Sequence, residues 1–254
     1  AYYYWIDEPP PARYAEIVDT TKKLRQVAPF VKHCVTAHPN ESLKNAVDIW
    51  CPNIGDVFGL GHLDVRRLAQ ERKAGRETWW YTMVEPKFPY PTWLVDDDAA
   101  SVRVYGWLMA RFGITGFVYS MAHGWGPKPL ENITSFAETS GDGTLLYPSE
   151  LVGGTGPMPS IRLMLLRDAI EDYELEKMVP VELIQNPWQY IENHPHENDE
   201  VYEAALLTQQ RREELPDAMS YMLGPPSGMK EPTDEEFIIN SQNQYIPKAK
   251  PKVD

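Results

Sequence analysis

The sequence lacks the features that mark disulfide-stabilised and membrane-spanning proteins. It has only two cysteines among 254 residues, Cys34 and Cys51. Each lies in a short apolar stretch typical of a strand, which favours buried free thiols over a disulfide framework. No run of about 18 uncharged apolar residues occurs, so the sequence predicts no membrane-spanning helix.

Positive charge is also scarce. The chain has 24 Lys and Arg residues against 37 Asp and Glu residues, and a formal net charge of −13. Such a chain repels phosphate backbones, and no dense Lys/Arg cluster offsets this repulsion, so we expect no nucleic-acid partner. Neither a Cys/His motif with metal-binding spacing nor a Gly-x-Ser-x-Gly elbow is present. We therefore expect no metal, no other cofactor and no Ser/His/Asp triad.

Aromatic residues are abundant by contrast. The chain has eight Trp and fourteen Tyr residues, and 43% of its residues are hydrophobic. A chain of this composition can bury one substantial core. Flat amphipathic rings suit sugar faces as well as cores, so composition alone does not separate these two uses.

Strand and helix patterns alternate along the first 180 residues. The sequence predicts strands at residues 2–6, 30–37, 47–51, 77–82 and 114–121, and helices at residues 12–28, 41–46, 63–74, 99–112 and 160–178. This alternation favours βαβ units and a parallel sheet. We predict an α/β fold, namely the C-terminal portion of a (β/α)₈ TIM-type barrel with about five parallel strands. A doubly wound open sheet is the alternative.

The composition changes after residue 180. Residues 1–180 carry the alternating pattern and are interpreted as a partial barrel domain. Residues 181–254 are acidic and polar, with one more helical stretch at residues 200–223 and a Pro- and Lys-rich end. We predict an acidic helical extension followed by a disordered tail.

Two charged stretches are interpreted as structural. Asp96, Asp97 and Asp98 precede a predicted helix, where carboxylates cap the first turn and interact favourably with the helix dipole. The helix at residues 160–178 carries an ion-pair network that fixes it in place. Its members are Arg162, Arg167, Asp168, Glu171 and Asp172.

Two adjacent acids, Asp7 and Glu8, end the first predicted strand. In a parallel barrel the active site forms at the carboxyl ends of the strands, which makes this pair a catalytic candidate. Pro9 favours extended backbone at Glu8. The alternative is an acidic turn in which either residue caps the following helix.

Rings and hydrogen-bonding groups gather at the other predicted strands as well. Asp48 and Asn53 surround the third strand, Trp79, Trp80 and Tyr81 form the fourth, and Tyr119, His123 and Trp125 follow the fifth. For any single ring, packing in the barrel wall is the alternative, because the side chains of a strand point alternately inward and outward.

Six blocks together resemble the catalytic domain of glycoside hydrolase family 123 and its relatives. They are YWIDEP at 4–9, VDIWCP at 47–52, ETWWYT at 77–82, FGITGFVY at 112–119 with Arg103 and Trp107 ahead of it, GDGTLLYP at 141–148, and PSIRL at 159–163 running on to LRDAIEDYE at 166–174. Relatives usually have Trp at the position of Ser120 and Gly at that of Ala169. The resemblance covers residues 4 to 178 and implies an N-terminal β-sandwich and the first barrel strands as the missing part of the same protein. It also makes a secreted or periplasmic location plausible, although the sequence itself leaves the location undetermined.

The resemblance implies a retaining glycosidase for N-acetylhexosaminides, similar to a β-N-acetylgalactosaminidase, working by substrate assistance through an oxazolinium intermediate. Glu8 would be the general acid and base, and Asp7 would hold the acetamido N–H. Substrate-binding candidates are Asn53, Trp79, Trp80, Tyr81, Tyr119, Trp125, Asp142 and Tyr147. Two alternatives stay open. One is a non-catalytic carbohydrate-binding or scaffolding module, and the other is a two-carboxylate glycosidase that pairs Glu8 with Glu85 or Asp142.

Overall fold

A computed structural model of the protein describes residues 1–54, 65–84, 86, 90–134 and 138–179, with the backbone of two short strands near the end of the chain. Those strands, at Phe237–Ile239 and Tyr245–Pro247, pair antiparallel. The helix predicted at residues 200–223 and the alternative carboxylate Glu85 lie outside the described residues.

Five strands form one curled parallel sheet, a half-barrel. The strands are β1 (Tyr2–Tyr3), β2 (Lys32–Val35), β3 (Ile49–Trp50), β4 (Glu77–Tyr81) and β5 (Gly116–Val118). Neighbours in the sheet follow the order of the chain. A doubly wound sheet reverses its strand order at a switch point, so the sequential order excludes that alternative for these five strands. The prediction of an α/β fold with five parallel strands is confirmed.

Four helices accompany these strands in the described residues. They are α1 (Tyr14–Val27), α2 (Val65–Lys73), α3 (Ala100–Phe112) and α4 (Ile161–Met178). Gly75 and Gly113 follow α2 and α3 with φ of 84° and 65°, the left-handed conformation that ends many helices. None of the described helices has the length and apolar character needed to cross a membrane.

The prediction of a helix at residues 41–46 was wrong, because these residues form turns. The side chain of Asn40 accepts a hydrogen bond from the Leu43 backbone N–H at 3.0 Å, and the Val47 N–H donates to the Leu43 carbonyl. The chain then enters β3 almost at once, since the Asp48 N–H donates to the His33 carbonyl. A segment this short does not sustain a helix without strong packing.

The two faces of the sheet differ in what covers them. Trp50 donates to Glu71 of α2 at 2.8 Å, and Thr78 accepts from Arg72 of the same helix at 3.2 Å. This side is called the helix face. The opposite side is called the inner face, and its side chains pack on one another: Cys34, Ile49, Cys51, Trp79, Tyr81, Met83 and Val118.

Both cysteines are free and buried, as predicted. Cys34 lies in β2, and Cys51 directly follows β3. Burial, together with the neighbouring Cys34 thiol, raises the pKa of the Cys51 thiol well above its usual value. The Cys51 thiol is therefore protonated at neutral pH, and it packs beside Cys34 within the inner face.

The described residues divide into two compact units. One contains residues 1–97 and 112–159, and the other contains residues 98–111 and 160–179. The first unit holds β1 to β5 and an antiparallel pair, β6 (Leu146–Pro148) and β7 (Pro157–Pro159).

The second unit is built on contact between α3 and α4. A Cβ added at Gly106 would lie 1.9 Å from the carbonyl oxygen of Ala169, so the two backbones touch. Asp172 is fully buried and accepts from Arg103 at 2.9 Å and from the Trp107 indole at 3.1 Å. The predicted cap is present as well, because Asp98 accepts from the Ala100 N–H at 2.9 Å.

We predict that Asp172→Asn lowers the free energy of unfolding, measured by urea titration, by about 3 kcal/mol, because it leaves the Arg103 charge beside a neutral amide at a buried position. The matched control is Asp168→Asn on the same helix. Asp168 pairs with the exposed Arg167, so its substitution leaves the free energy of unfolding nearly unchanged. Equal effects of the two variants would contradict the assignment.

Candidate active site

Asp7 and Glu8 lie in a bend just beyond the carboxyl end of β1. The expectation of extended backbone at Glu8 was wrong, because its φ is 39°. Residues other than glycine seldom adopt positive φ, and at functional sites such strain accompanies a fixed geometry. The tertiary contacts of the bend outweigh the local preference that Pro9 imposes.

Asp7 is held by two hydroxyl groups on the same oxygen. The Tyr4 phenol donates to Asp7 Oδ1 at 2.6 Å, and the Thr36 hydroxyl donates to it at 2.9 Å. Burial and the hydrogen bond to Asp7 raise the pKa of Tyr4, so the phenol remains a donor at neutral pH. Both donors act on Oδ1, which leaves Oδ2 as the oxygen with room for another donor.

Glu8 is held through both its backbone and its side chain. Its N–H donates to the Thr36 hydroxyl oxygen at 2.7 Å, and its Oε1 accepts a short hydrogen bond from the Tyr81 phenol. Burial, followed by the contact with Glu8, raises the pKa of Tyr81 well above its usual value. Tyr81 therefore acts as a donor to the carboxylate.

Tyr81 reaches this position because β3 and β4 stay paired beyond Trp50. The Tyr81 N–H donates to the Pro52 carbonyl at 3.1 Å, and Asn53 forms a bridge with Tyr81. The Asn53 side chain is buried and hydrogen-bonds the Tyr81 phenol, which offsets a small part of the rise in the pKa of Tyr81. The structure thus brings together four of the predicted site residues, namely Asp7, Glu8, Asn53 and Tyr81.

A buried histidine on the helix face anchors the residues that lead to this bend. His33 Nε2 accepts from the Trp5 indole at 3.0 Å, and His33 Nδ1 lies 3.0 Å from the Ala46 carbonyl and also contacts the Thr21 hydroxyl. An indole N–H only donates, so the imidazole proton lies on Nδ1. Burial lowers the pKa of His33, and the ring is neutral at pH 7.

Tyr119 and Asp142 form a second cluster. The Tyr119 phenol donates to Asp142 Oδ1, and the Gly143 N–H approaches both the phenol oxygen and Asp142 Oδ1, at 2.8 and 3.0 Å. Gly141 and Gly143 have φ of 74° and 68°, which a residue with a side chain rarely adopts. The glycines of the sequence motif therefore shape the turn that buries Asp142.

The remaining predicted rings have different surroundings. Trp79 lies on the inner face, donates to Glu77 at 3.2 Å and packs edge-on against Tyr2, with ring centroids 4.9 Å apart. Trp80 has no exposed surface and packs edge-on against Phe112. A ring that is fully enclosed has no face to offer a sugar, so Trp80 belongs to the core rather than to a binding site.

The last two predicted residues lie after β5. Trp125 packs against His123 with ring centroids 5.7 Å apart, and Tyr147 is a half-buried residue of β6. Within the described ranges, no three His, Cys, Asp or Glu side chains converge as metal ligands do.

Sequence reasoning missed Thr36 and assigned no role to Tyr4. Thr36 directly follows β2, so the rule that drew attention to the other strand ends applies to it equally. A single threonine carries neither charge nor a motif, and only the three-dimensional contacts distinguish it.

The chain matches known proteins in two comparisons. A family model described as the catalytic domain of glycoside hydrolase 123 matches residues 2–179. The fold is similar to the structure of a family 123 glycoside hydrolase from Clostridium perfringens, described in connection with glycolipid glycan hydrolysis, with 18% identity and a TM-score of 0.55. The match covers 96% of this chain but only 36% of that enzyme, and at this identity it concerns the fold alone. No curated protein matches the sequence.

We predict that the free energy of unfolding falls as the pH is lowered from about 7 to about 5, partly because of His33. The pKa of His33 in the folded protein is below the ordinary value of 6.5. Below that value the unfolded chain therefore binds a proton more readily than the folded one, and acid favours unfolding. Urea titrations of His33→Gln should show a weaker pH dependence than wild type, whereas His123→Gln, at an exposed position, should not. An unchanged pH dependence in His33→Gln would contradict this.

Proposed function

This chain belongs to glycoside hydrolase family 123, and on that premise we propose that it is a glycosidase in which Asp7 and Glu8 carry out catalysis. The observation that carries the proposal is the bend after β1, where two adjacent carboxylates are held by hydroxyl donors that follow β1 and β2 and end β4. Oriented carboxylates are what glycoside hydrolysis requires.

The proposed reaction is substrate-assisted hydrolysis of a 2-acetamido sugar, in the manner of a β-N-acetylgalactosaminidase. In an ordinary retaining glycosidase, two carboxyl groups flank the scissile bond, and one of them attacks the anomeric carbon. Asp7 and Glu8 are consecutive and share the Thr36 hydroxyl, which favours their action from one side. In the substrate-assisted reaction the acetamido oxygen is the nucleophile, so no carboxylate is needed on the opposite face.

Each carboxylate then has a distinct task. Protonated Glu8 donates its proton to the glycosidic oxygen as the bond to the anomeric carbon breaks, and the acetamido oxygen forms a new bond to that carbon. Ionised Asp7 accepts the acetamido N–H through Oδ2 and stabilises the positive charge of the oxazolinium ion. Glu8 next removes a proton from the water that opens this ring, which restores both groups and retains the anomeric configuration.

Tyr81 assists Glu8 in both steps. Its phenol occupies Oε1, so Oε2 is the oxygen that carries and later receives the transferred proton. Asn53 fixes the phenol in turn. We also assign substrate contacts to Trp79, Tyr119, Trp125 and Tyr147. Asp142, a predicted contact that is fully buried, is assigned instead to holding the Tyr119 phenol.

A complete (β/α)₈ barrel around this site is part of the proposal. The sequential order of β1 to β5 and the greater length of the solved family 123 enzyme support it. Because that enzyme is described in connection with glycolipid glycan hydrolysis, we include glycolipid glycans among the substrates to test here.

We predict that Glu8→Gln and Asp7→Asn each lower kcat on aryl N-acetyl-β-galactosaminides at least about a hundredfold. In Glu8→Gln, kcat should fall less with a dinitrophenol leaving group than with phenol, because the better leaving group needs no proton. In Asp7→Asn, kcat should fall by a similar factor with both leaving groups, because the acetamido group assists whichever aglycone departs. Glu16→Gln and Asp19→Asn, on exposed carboxylates of α1, are the matched controls.

Three outcomes would contradict the proposal. Wild-type rates in Glu8→Gln would remove Glu8 as the acid. Equal hydrolysis of a galactoside without the acetamido group would favour the two-carboxylate reaction, and sugar binding without any turnover would indicate a carbohydrate-binding module.

We predict that Tyr81→Phe lowers kcat about tenfold with little change in KM, because it removes the hydrogen bond by which the phenol orients the Glu8 carboxyl group. Tyr14→Phe on α1 is the matched control and should retain full kcat. The steady-state parameters of both variants test this, and full kcat in Tyr81→Phe would contradict the role of its phenol.

A further inference from the structure

One hydroxyl group connects both proposed catalytic residues. Thr36 is 3% exposed and directly follows β2. Its Oγ1 accepts the Glu8 backbone N–H at 2.7 Å and donates to Asp7 Oδ1 at 2.9 Å. A hydroxyl has one proton to donate and lone pairs to accept, so both bonds form at the same time.

The backbone at Glu8 needs such an anchor. Its φ of 39° is a strained conformation that a residue other than glycine keeps only where surrounding contacts hold it. The Thr36 oxygen receives the N–H of this strained residue, so the bond acts where the chain would otherwise relax. A change in the direction of the Glu8 backbone would move its carboxylate as well.

The same hydroxyl restricts Asp7. Asp7 is exposed, and an exposed carboxylate rotates freely unless its oxygens are fixed. The Thr36 and Tyr4 hydroxyls both hold Oδ1. With Oδ1 occupied by these two donors, Oδ2 is the oxygen with room for a further donor.

We propose that Thr36 is a positioning residue that sets the placement of Asp7 relative to Glu8 and reserves Asp7 Oδ2 for the acetamido N–H of the substrate. This inference rests on the proposed function and deepens it. Thr36 contacts neither the sugar nor the transferred proton, and it acts only through the two carboxylates. Misplacement of oriented groups by about 1 Å costs up to a hundredfold in rate, which gives the scale of its contribution.

The test compares three variants in the aryl N-acetyl-β-galactosaminide assay. Thr36→Val keeps the shape and loses the hydroxyl, and we expect kcat to fall about 10- to 100-fold with KM within about twofold of wild type. Thr36→Ser keeps the hydroxyl and should restore kcat to within about threefold. Thr78→Val is the matched control, since Thr78 is equally buried and its hydroxyl bonds Arg72 on the helix face. Thr78→Val should retain full kcat even if its free energy of unfolding is lower than that of the wild type.

A second measurement does not depend on turnover. Hydrogen exchange of the Glu8 amide, followed by NMR, should quicken at least about tenfold in Thr36→Val and stay slow in Thr36→Ser and Thr78→Val, because an amide that loses its acceptor loses protection. Unchanged exchange in Thr36→Val would overturn the anchoring role, and full kcat in that variant would overturn the catalytic consequence.

Failure of the inference and failure of the proposed function give different results. An inactive wild type whose Glu8 amide is protected by Thr36 would overturn the proposed function and leave the anchoring role intact. An active wild type in which Thr36→Ser loses as much kcat as Thr36→Val would overturn the inference alone, since the hydroxyl would then not be the group that matters.

Discussion

Hydrogen bonds from hydroxyl groups to Asp7 and Glu8 are the interactions on which the proposed chemistry depends. The donors come from three places in one sheet, since Tyr4 follows β1, Thr36 follows β2 and Tyr81 ends β4. Parallel strands bring their carboxyl ends to one edge of the sheet, so residues far apart in sequence meet there. In the part of the chain that the structure describes, the groups that donate to these two carboxylates are neutral hydroxyls.

The two faces of the sheet separate stability from chemistry. On the helix face, His33 contacts the carbonyl of Ala46 in a turn, and Trp50 and Thr78 hydrogen-bond to side chains of α2. Trp80 is fully enclosed on the same face. On the inner face, apolar packing around Cys34 and Cys51 gives way to polar side chains where the strands end. On the helix face His33 also accepts a hydrogen bond from the indole of Trp5, two residues before Asp7.

Much of this arrangement was predictable from sequence, and the remainder depends on tertiary contacts. Alternating patterns and the glycines after α2 and α3 gave the five strands and most helix ends, and Asp7 and Glu8 were identified because they end a strand. Which of Trp79 and Trp80 faces inward depends on strand register, and a shift of one residue exchanges the two faces. The rule for residues before proline failed at Glu8, because hydrogen bonds to Thr36 and Tyr81 outweigh a local preference. The short segment at 41–46 had helical composition but too few residues for a helix.

The central claim is that Asp7 and Glu8 face one sugar ring as acid and orienting carboxylate. A crystal structure of the protein with a thiazoline analogue of N-acetylgalactosamine, which mimics the oxazolinium ion, tests it most directly. We predict that the thiazoline nitrogen lies within hydrogen-bond distance of Asp7 Oδ2, and that Glu8 lies beside the anomeric carbon on the side where the aglycone leaves. An analogue bound elsewhere, or a bound ring whose nitrogen meets a different carboxylate, would contradict it.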